Sequence, residues 1–143
     1  MGDGRPQVGA AEIAAILRNA YDGLAAGDPS AVLNTFAAEG VLHIEDGAFG
    51  GDYVGLEAIA GVLAGLFEWT GGTLRLDVEE IFTDEKHGVV LVRETGRRAR
   101  DGVELDVRET HLLHMENGLV VDFWDLPALA GRDAHEAFFS ETR

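Results

Sequence analysis

Apolar positions recur at two different periods along the chain, and the change of period divides it. Ile13, Ile16, Leu17, Ala20 and Leu24 fall at helical spacing, which predicts an amphipathic helix over residues 10–26. Gly27 is placed to stop it, and Asp28-Pro29 reads as the cap and first residue of a second, short helix. Val32, Leu33 and Phe36 give that helix an apolar face. A short strand is expected over residues 41–44, a glycine-rich loop over 46–52, and a third helix over 56–68. Ile59, Val62, Leu63, Leu66 and Phe67 lie along one side of the third helix.

From Thr73 the period becomes two. Leu74, Leu76 and Val78 alternate with Arg75, Asp77 and Glu79, the pattern of a strand with one solvated face. Further strands are expected over 88–96, 103–115 and 119–125. Arg100-Asp101-Gly102 joins the first two of these, and Asn117-Gly118 the last two. A short helix over 134–139 closes the chain. Helices followed by consecutive strands argue an α+β fold. We expect a curved antiparallel sheet packed with three N-terminal helices, a cone with an internal pocket. The polar, glycine-rich residues 1–9 read as a loose tail, and residues 10–143 as one domain.

Composition narrows what such a pocket can do. The net charge is −15, from 26 acidic and 11 basic residues. That field disfavours nucleic acid and anionic membrane surfaces. There is no cysteine, hence no disulfide framework and no thiolate chemistry. No run approaches a membrane span, and the first residues lack the apolar stretch of a signal peptide, so a cytoplasmic location is the expectation. No cofactor fingerprint is present, and none is expected to be needed.

The hairpin around Asn117-Gly118 carries the main candidate chemistry. Phe123 and Asp125 lie two apart on a strand and share a face. If that face lines the pocket, burial raises the pKa of the carboxyl and suits it to proton exchange with a carbon acid. Val107, Glu109, His111, Leu113 and Met115 share a face of the preceding strand. The register decides which residues meet. A two-residue turn puts Asp122 and Trp124 on the face of His111; a three-residue turn at Glu116-Asn117-Gly118 puts Phe123 and Asp125 there, and we expect the second. A two-residue turn at Asp101-Gly102 would pair Glu109 with Glu94 and His111 with Val92. Two facing buried carboxylates require a shared proton or a basic neighbour. Arg93 and Arg108 fall on the opposite face.

The element order, with Ala25-Ala26-Gly27-Asp28 after the first helix, resembles the nuclear transport factor 2-like superfamily of cone-shaped, cystatin-like α+β folds. Within it, His111-Leu112-Leu113 through Asn117-Gly118 to Trp124-Asp125-Leu126-Pro127 resembles the SnoaL-like polyketide cyclases. The resemblance spans about residues 10–140. It implies a catalytic Asp125, with His111 beside it orienting the carboxylate or binding a substrate carbonyl. It also implies a place at the pocket wall for His43, which would complete a polar triangle. The spacing of these three matches no metal motif, and no metal is expected. Ketosteroid isomerase-like relatives use a tyrosine on the first helix; here Ala20 matches that place, with Tyr21 one residue away, and their catalytic base has no clear match. Leu17, Phe36, Leu63, Phe67, Val92, Leu113 and Phe123 are expected to line the pocket, Tyr21 and Trp69 to form its aromatic wall, and Glu94 and Glu109 to face inward. An apolar carbonyl substrate of polyketide type follows, turned over in a cyclase or isomerase step. Two alternatives remain open: epoxide hydrolase-like activation of water by Asp125 and Glu94, and a non-catalytic ligand-binding module. Members of the superfamily pair sheet to sheet, which implies a homodimer through Arg93, Arg108, Thr110, Leu112 and His114. His87 and His114 are expected at the surface.

Overall fold

The computed structural model of the protein describes residues 8–45, 47–128 and 131–140. Most of the expected tail, and Asp46 of the expected loop, lie outside them. Helix α1 (Ala10–Ala25) is followed by the single turn α2 (Ser30–Leu33), strand β1 (Phe36–Ile44), strand β2 (Gly51–Val54) and helix α3 (Leu56–Trp69). Strands β3 (Arg75–Thr83), β4 (His87–Arg97), β5 (Glu104–Glu116) and β6 (Leu119–Pro127) come next, and α4 (Arg132–Phe138) ends the fold. The six strands form one curved, unclosed sheet in the order β2-β1-β6-β5-β4-β3. No described helix is long and apolar enough to cross a membrane.

Three expectations need correction. Phe36 does not belong to the second helix: it opens β1, which is twice as long as its apolar core suggests and runs parallel to β6. The sheet is therefore antiparallel except at this one pair. The glycine-rich loop also contains β2, whose four residues pair antiparallel with β1. The chain between β4 and β5 is longer than a two-residue turn, because Arg97 pairs with Glu104. This moves the register by two residues and so preserves the faces: Glu109 pairs with Val92 and Glu94 with Val107, and all four side chains stay inward.

The β5–β6 hairpin reaches the expected facing by another route. Its turn has two residues, since Glu116 pairs with Leu119, and both Asn117 (φ 52°) and Gly118 (φ 78°) are left-handed. That backbone matches the natural twist of a hairpin. A two-residue turn alone would set His111 opposite Trp124. The register shifts between His114 and Met115: Met115 pairs with Val120, but His114 pairs with Asp122, which leaves Val121 as the extra residue of a bulge on β6. His111 consequently faces Asp125 directly.

The alternation of β5 is complete: Leu105, Val107, Glu109, His111, Leu113 and Met115 are all buried. Helix α1 covers β3 and β4, α3 covers β1 and β2, and α4 packs on β5. Ile13, Leu17, Ile59, Val90 and Leu113 anchor the main core. Gly88 allows the close approach of α1, because a Cβ there would lie 2.6 Å from Leu17 Cδ1. A second, smaller core joins Leu105, Val107, Phe138 and Phe139, with Phe49 and Trp69 against it.

Because Gly118 holds the left-handed turn that starts the register, Gly118→Ala should lower unfolding stability by about 1 kcal/mol. Its new methyl would also press on Val8 Cγ2 at 3.2 Å. Urea denaturation measures this, and an unchanged midpoint would contradict the turn assignment.

Candidate functional site

Pairing across β4, β5 and β6 gathers four inward polar side chains at the wall of an apolar pocket. Glu94 comes from β4, Glu109 and His111 from β5, and Asp125 from β6, and all four line it. The remaining lining is almost wholly apolar: Leu17, Tyr21 and Leu24 from α1, Ile59, Leu63, Leu66 and Phe67 from α3, and Phe36, Leu42, Ile44, Leu113 and Phe123 from the sheet. The enclosed space is narrow, about 70 Å³. A dry cavity of about 150 Å³ holds a benzene. Half-buried side chains such as Leu63 and Phe67 must therefore shift to admit a ring.

His111 is the hub. Its Nδ1 lies 2.5 Å from the Tyr21 hydroxyl, and its Nε2 lies 3.1 Å from Glu109 Oε1 and 3.5 Å from Asp125 Oδ1. Phe123 packs against the ring, with centroids 4.8 Å apart. On the far side of Glu109, His135 of α4 places Nε2 3.1 Å from Glu109 Oε2 and 3.3 Å from Glu94 Oε1. These two carboxylate oxygens and Asp125 Oδ1 are buried without a well-angled hydrogen bond, so the imidazoles hold them by charge and proximity.

Burial and neighbours set the protonation states. Burial pushes the Asp125 carboxyl up, the adjacent Glu109 adds to this, and His111 opposes it, leaving a pKa of about 6. Burial and the Glu109 charge push Glu94 up to about 8, with His135 opposing. Burial would raise Glu109 too, but His111 and His135 hold it well below the carboxylate range. Burial disfavours the His135 cation, yet Glu109 and Glu94 lift its pKa to about 10. Burial likewise opposes a charge on His111; Tyr21, Asp125 and Glu109 outweigh it and raise its pKa well above the ordinary value. Tyr21 is raised by burial and stays a neutral phenol. At neutral pH the cluster thus holds anionic Glu109 and Asp125, cationic His111 and His135, and a protonated Glu94. The charges balance.

Two triads, Glu94-Glu109-His135 and Glu109-His111-Asp125, bring donor atoms within 4.8 Å of one another. That spacing would suit a small cation. The imidazole nitrogens involved, however, face carboxylates that keep them protonated, so a cation would have to displace both protons. We assign no metal here.

The other sequence candidates divide cleanly. Leu17, Tyr21, Phe36, Leu63, Phe67, Glu94, Glu109, Leu113 and Phe123 all reach the pocket. His43 does not join Asp125 and His111. It pairs with Trp124 on β6 and so projects from the opposite, convex face. There it bridges Asp52 and Asp122 at 2.8 Å each and stacks on Trp124. The three residues form no polar triangle, because Ile44, the neighbour of His43, holds the inward position. Trp69 belongs to the second core, and Val92 lies beneath the lining rather than in it. His87 and His114 are at the surface, stacked on each other. His135 was missed. A signal existed: His135, Phe138 and Phe139 stand at helical spacing, and two buried glutamates called for a basic partner.

The model of the SnoaL-like domain family matches residues 17–123, three quarters of the chain. No curated protein matches. Among solved structures, Bal32a from a soil-derived mobile gene cassette shares 23% identity over 91% of this chain and 98% of its own, with a TM-score of 0.82. TerC, co-crystallised with polyporic acid, shares 19% over 90% and 98%, at 0.75. A candidate SnoaL-like polyketide cyclase from Jannaschia sp. CCS1 shares 18% over 99% and 100%, at 0.76. At these identities the likeness is one of fold, the nuclear transport factor 2-like, cystatin-like architecture.

The raised pKa of Glu94 has a consequence for stability. A carboxyl whose folded pKa exceeds its unfolded value stabilises the fold below the unfolded pKa, and this contribution is lost as pH rises through the folded one. For Glu94 the window runs from 4.5 to about 8. Wild-type stability should therefore decline from pH 5 to pH 8, and Glu94→Gln should flatten the decline. Urea unfolding across this range checks it; identical slopes would contradict the assignment.

Proposed function

We propose that this chain, which belongs to the SnoaL-like domain family, is an enzyme that uses Asp125 as a general acid–base on an apolar carbonyl compound in a cyclase- or isomerase-type step. One observation carries the reading: a half-buried carboxyl, with its Oδ1 wholly enclosed, stands on the polar wall of a mainly apolar pocket, directly opposite an imidazole, where burial and Glu109 push its pKa up to about 6. A carboxylate poised near neutral pH is matched to removing and returning a proton. A charged, proton-sharing wall is costly to bury and serves no purpose in a module that only holds an apolar ligand.

The chemistry follows from the placement. Asp125 takes a proton from the carbon beside the carbonyl. The C–H bond breaks, and its electron pair moves into the carbonyl as an enolate. With His111 protonated, its Nδ1–H donates to the Tyr21 oxygen, leaving the phenol O–H to donate to the enolate oxygen. The enolate carbon then attacks a second carbonyl of the same molecule: a ring C–C bond forms, the π pair of that carbonyl moves onto its oxygen, and the oxygen takes the proton held by Asp125. In the isomerase case Asp125 returns the proton at another carbon instead. Both outcomes leave the electron count of the substrate unchanged, so neither calls for a cofactor.

A second reading is epoxide hydrolysis. Glu94 lines the same pocket with a buried oxygen that lacks a well-angled hydrogen bond, so a water between it and Asp125 could be activated. A homodimer through the convex face is also part of this proposal. Phe82, Val89, Leu112 and Trp124 form an apolar row across β3, β4, β5 and β6. The arginines beside it are engaged within the chain, Arg93 with Asp106 and Arg108 with Glu79.

Deuterium wash-in beside the carbonyl of an apolar bicyclic ketone such as 2-tetralone tests the reaction. Asp125→Asn should slow it by about 10²–10⁴-fold while leaving the fold intact; undiminished exchange would sink the proposal. Wash-in absent from the wild type, with ¹⁸O from water appearing in the diol of an apolar epoxide, would favour hydrolysis instead. Light scattering should give twice the chain mass, falling to one on Trp124→Lys; a monomeric wild type would refute the dimer.

A further inference from the structure

We infer that His135, carried by the C-terminal helix α4, is a positioning residue of this site: its imidazolium spans Glu94 and Glu109 and fixes which pocket carboxyl holds the proton. The inference rests on the reading of Asp125 above, and it concerns a part of the chain beyond residues 17–123, where the family match ends.

The first support is geometric. His135 is buried but does not line the pocket, so it acts through its neighbours. Its Nε2 reaches Glu109 at 3.1 Å and Glu94 at 3.3 Å. From Glu109 the contacts continue to His111 at 3.1 Å, and from there to Tyr21 at 2.5 Å and to Asp125 at 3.5 Å. A charge on His135 is therefore felt at Asp125 through one shared carboxylate.

The second support is the way α4 is held. His135, Phe138 and Phe139 share one face, and both phenylalanines are buried in the second core. The Phe138 carbonyl accepts from the Trp69 indole N–H at 3.1 Å and from Arg98 at 3.0 Å, and the Phe139 carbonyl accepts from the Ala48 N–H at 2.9 Å. These bonds fix α4, and with it the inward imidazole of His135, against β5.

The third is charge. Around His135 stand Glu94 on β4 and Glu109 on β5; His111 and Asp125 lie beyond Glu109, in contact with each other. Arg98 approaches α4 but is paired with Asp101 and directed at backbone carbonyls. On α4 itself Arg132 pairs with Glu45, while Asp133 and Glu136 are exposed. Without His135, two buried carboxyls and the half-buried Asp125 would share one imidazolium. A second carboxyl would then have to take up a proton, and the base would no longer be confined to Asp125.

Carboxyl ¹³C NMR titration of the full chain tests this, comparing wild type with His135→Gln between pH 4 and 9 and confirming the fold by circular dichroism. Loss of the cation should raise the apparent midpoint of the pocket carboxyls by at least one unit. A superimposable titration in a folded variant would overturn the inference. If the variant does not fold, the imidazole ¹⁵N signals of the wild type decide: both His135 nitrogens protonated at pH 8 support it, and a neutral ring there overturns it. Neither result depends on the ketone assay, so failure of the proposed reaction and failure of this inference remain distinct.

Discussion

Three carboxyl groups enter one apolar cone, and the rest of the structure answers that constraint. Isolated buried charges are expensive enough that such groups shift their pKa or acquire partners. Here both responses occur. Glu109 gains two imidazoles, Glu94 keeps its proton, and Asp125 is raised to about 6, ionised at neutral pH yet able to take up a proton. The tunable group is the one whose single imidazole is already shared with a stronger competitor, at 3.1 Å against 3.5 Å. Its poise arises from unequal sharing of cations rather than from burial alone.

The backbone makes this sharing possible by small means. One extra residue, Val121, turns a two-residue hairpin into the register that sets Asp125 against His111. Removing it would hand the pocket to Trp124 and leave the imidazole facing an indole. The six-residue connection between β4 and β5 keeps parity, so Glu94 and Glu109 both stay inward, offset from each other with His135 between them. The family likeness accounts for the cone; these local details account for what lies in it.

The fold was legible because its signals are local. Helical spacing in α1 and α3 and alternation in β5 each name a face without reference to anything distant. The inward set Glu109, His111 and Leu113 could be read from β5 alone. What could not be read depends on long-range pairing. The strand β1 is longer than its apolar core because β6 pairs parallel to it, and β2 forms only because β1 offers an edge. The outward facing of His43 is hidden for the same reason: strand alternation permits two faces, and only the pairing of Ile44 with Asp125 chooses between them. His135 was legible in principle, since buried glutamates demand a cation and its phenylalanine neighbours mark its face as inward. The sequence pattern reaches the facing of Asp125 through a three-residue turn, whereas a bulge at Val121 produces it.

The proposed chemistry requires a particular distribution of protons, which neutron diffraction at pH 7.5 would locate directly. It predicts deuterium on Glu94, on both nitrogens of His111 and of His135, and on the Tyr21 hydroxyl, with Glu109 and Asp125 bare. A neutral His111 beside a protonated Asp125 would contradict it, because the carboxyl would then be unable to take a proton from a substrate at neutral pH.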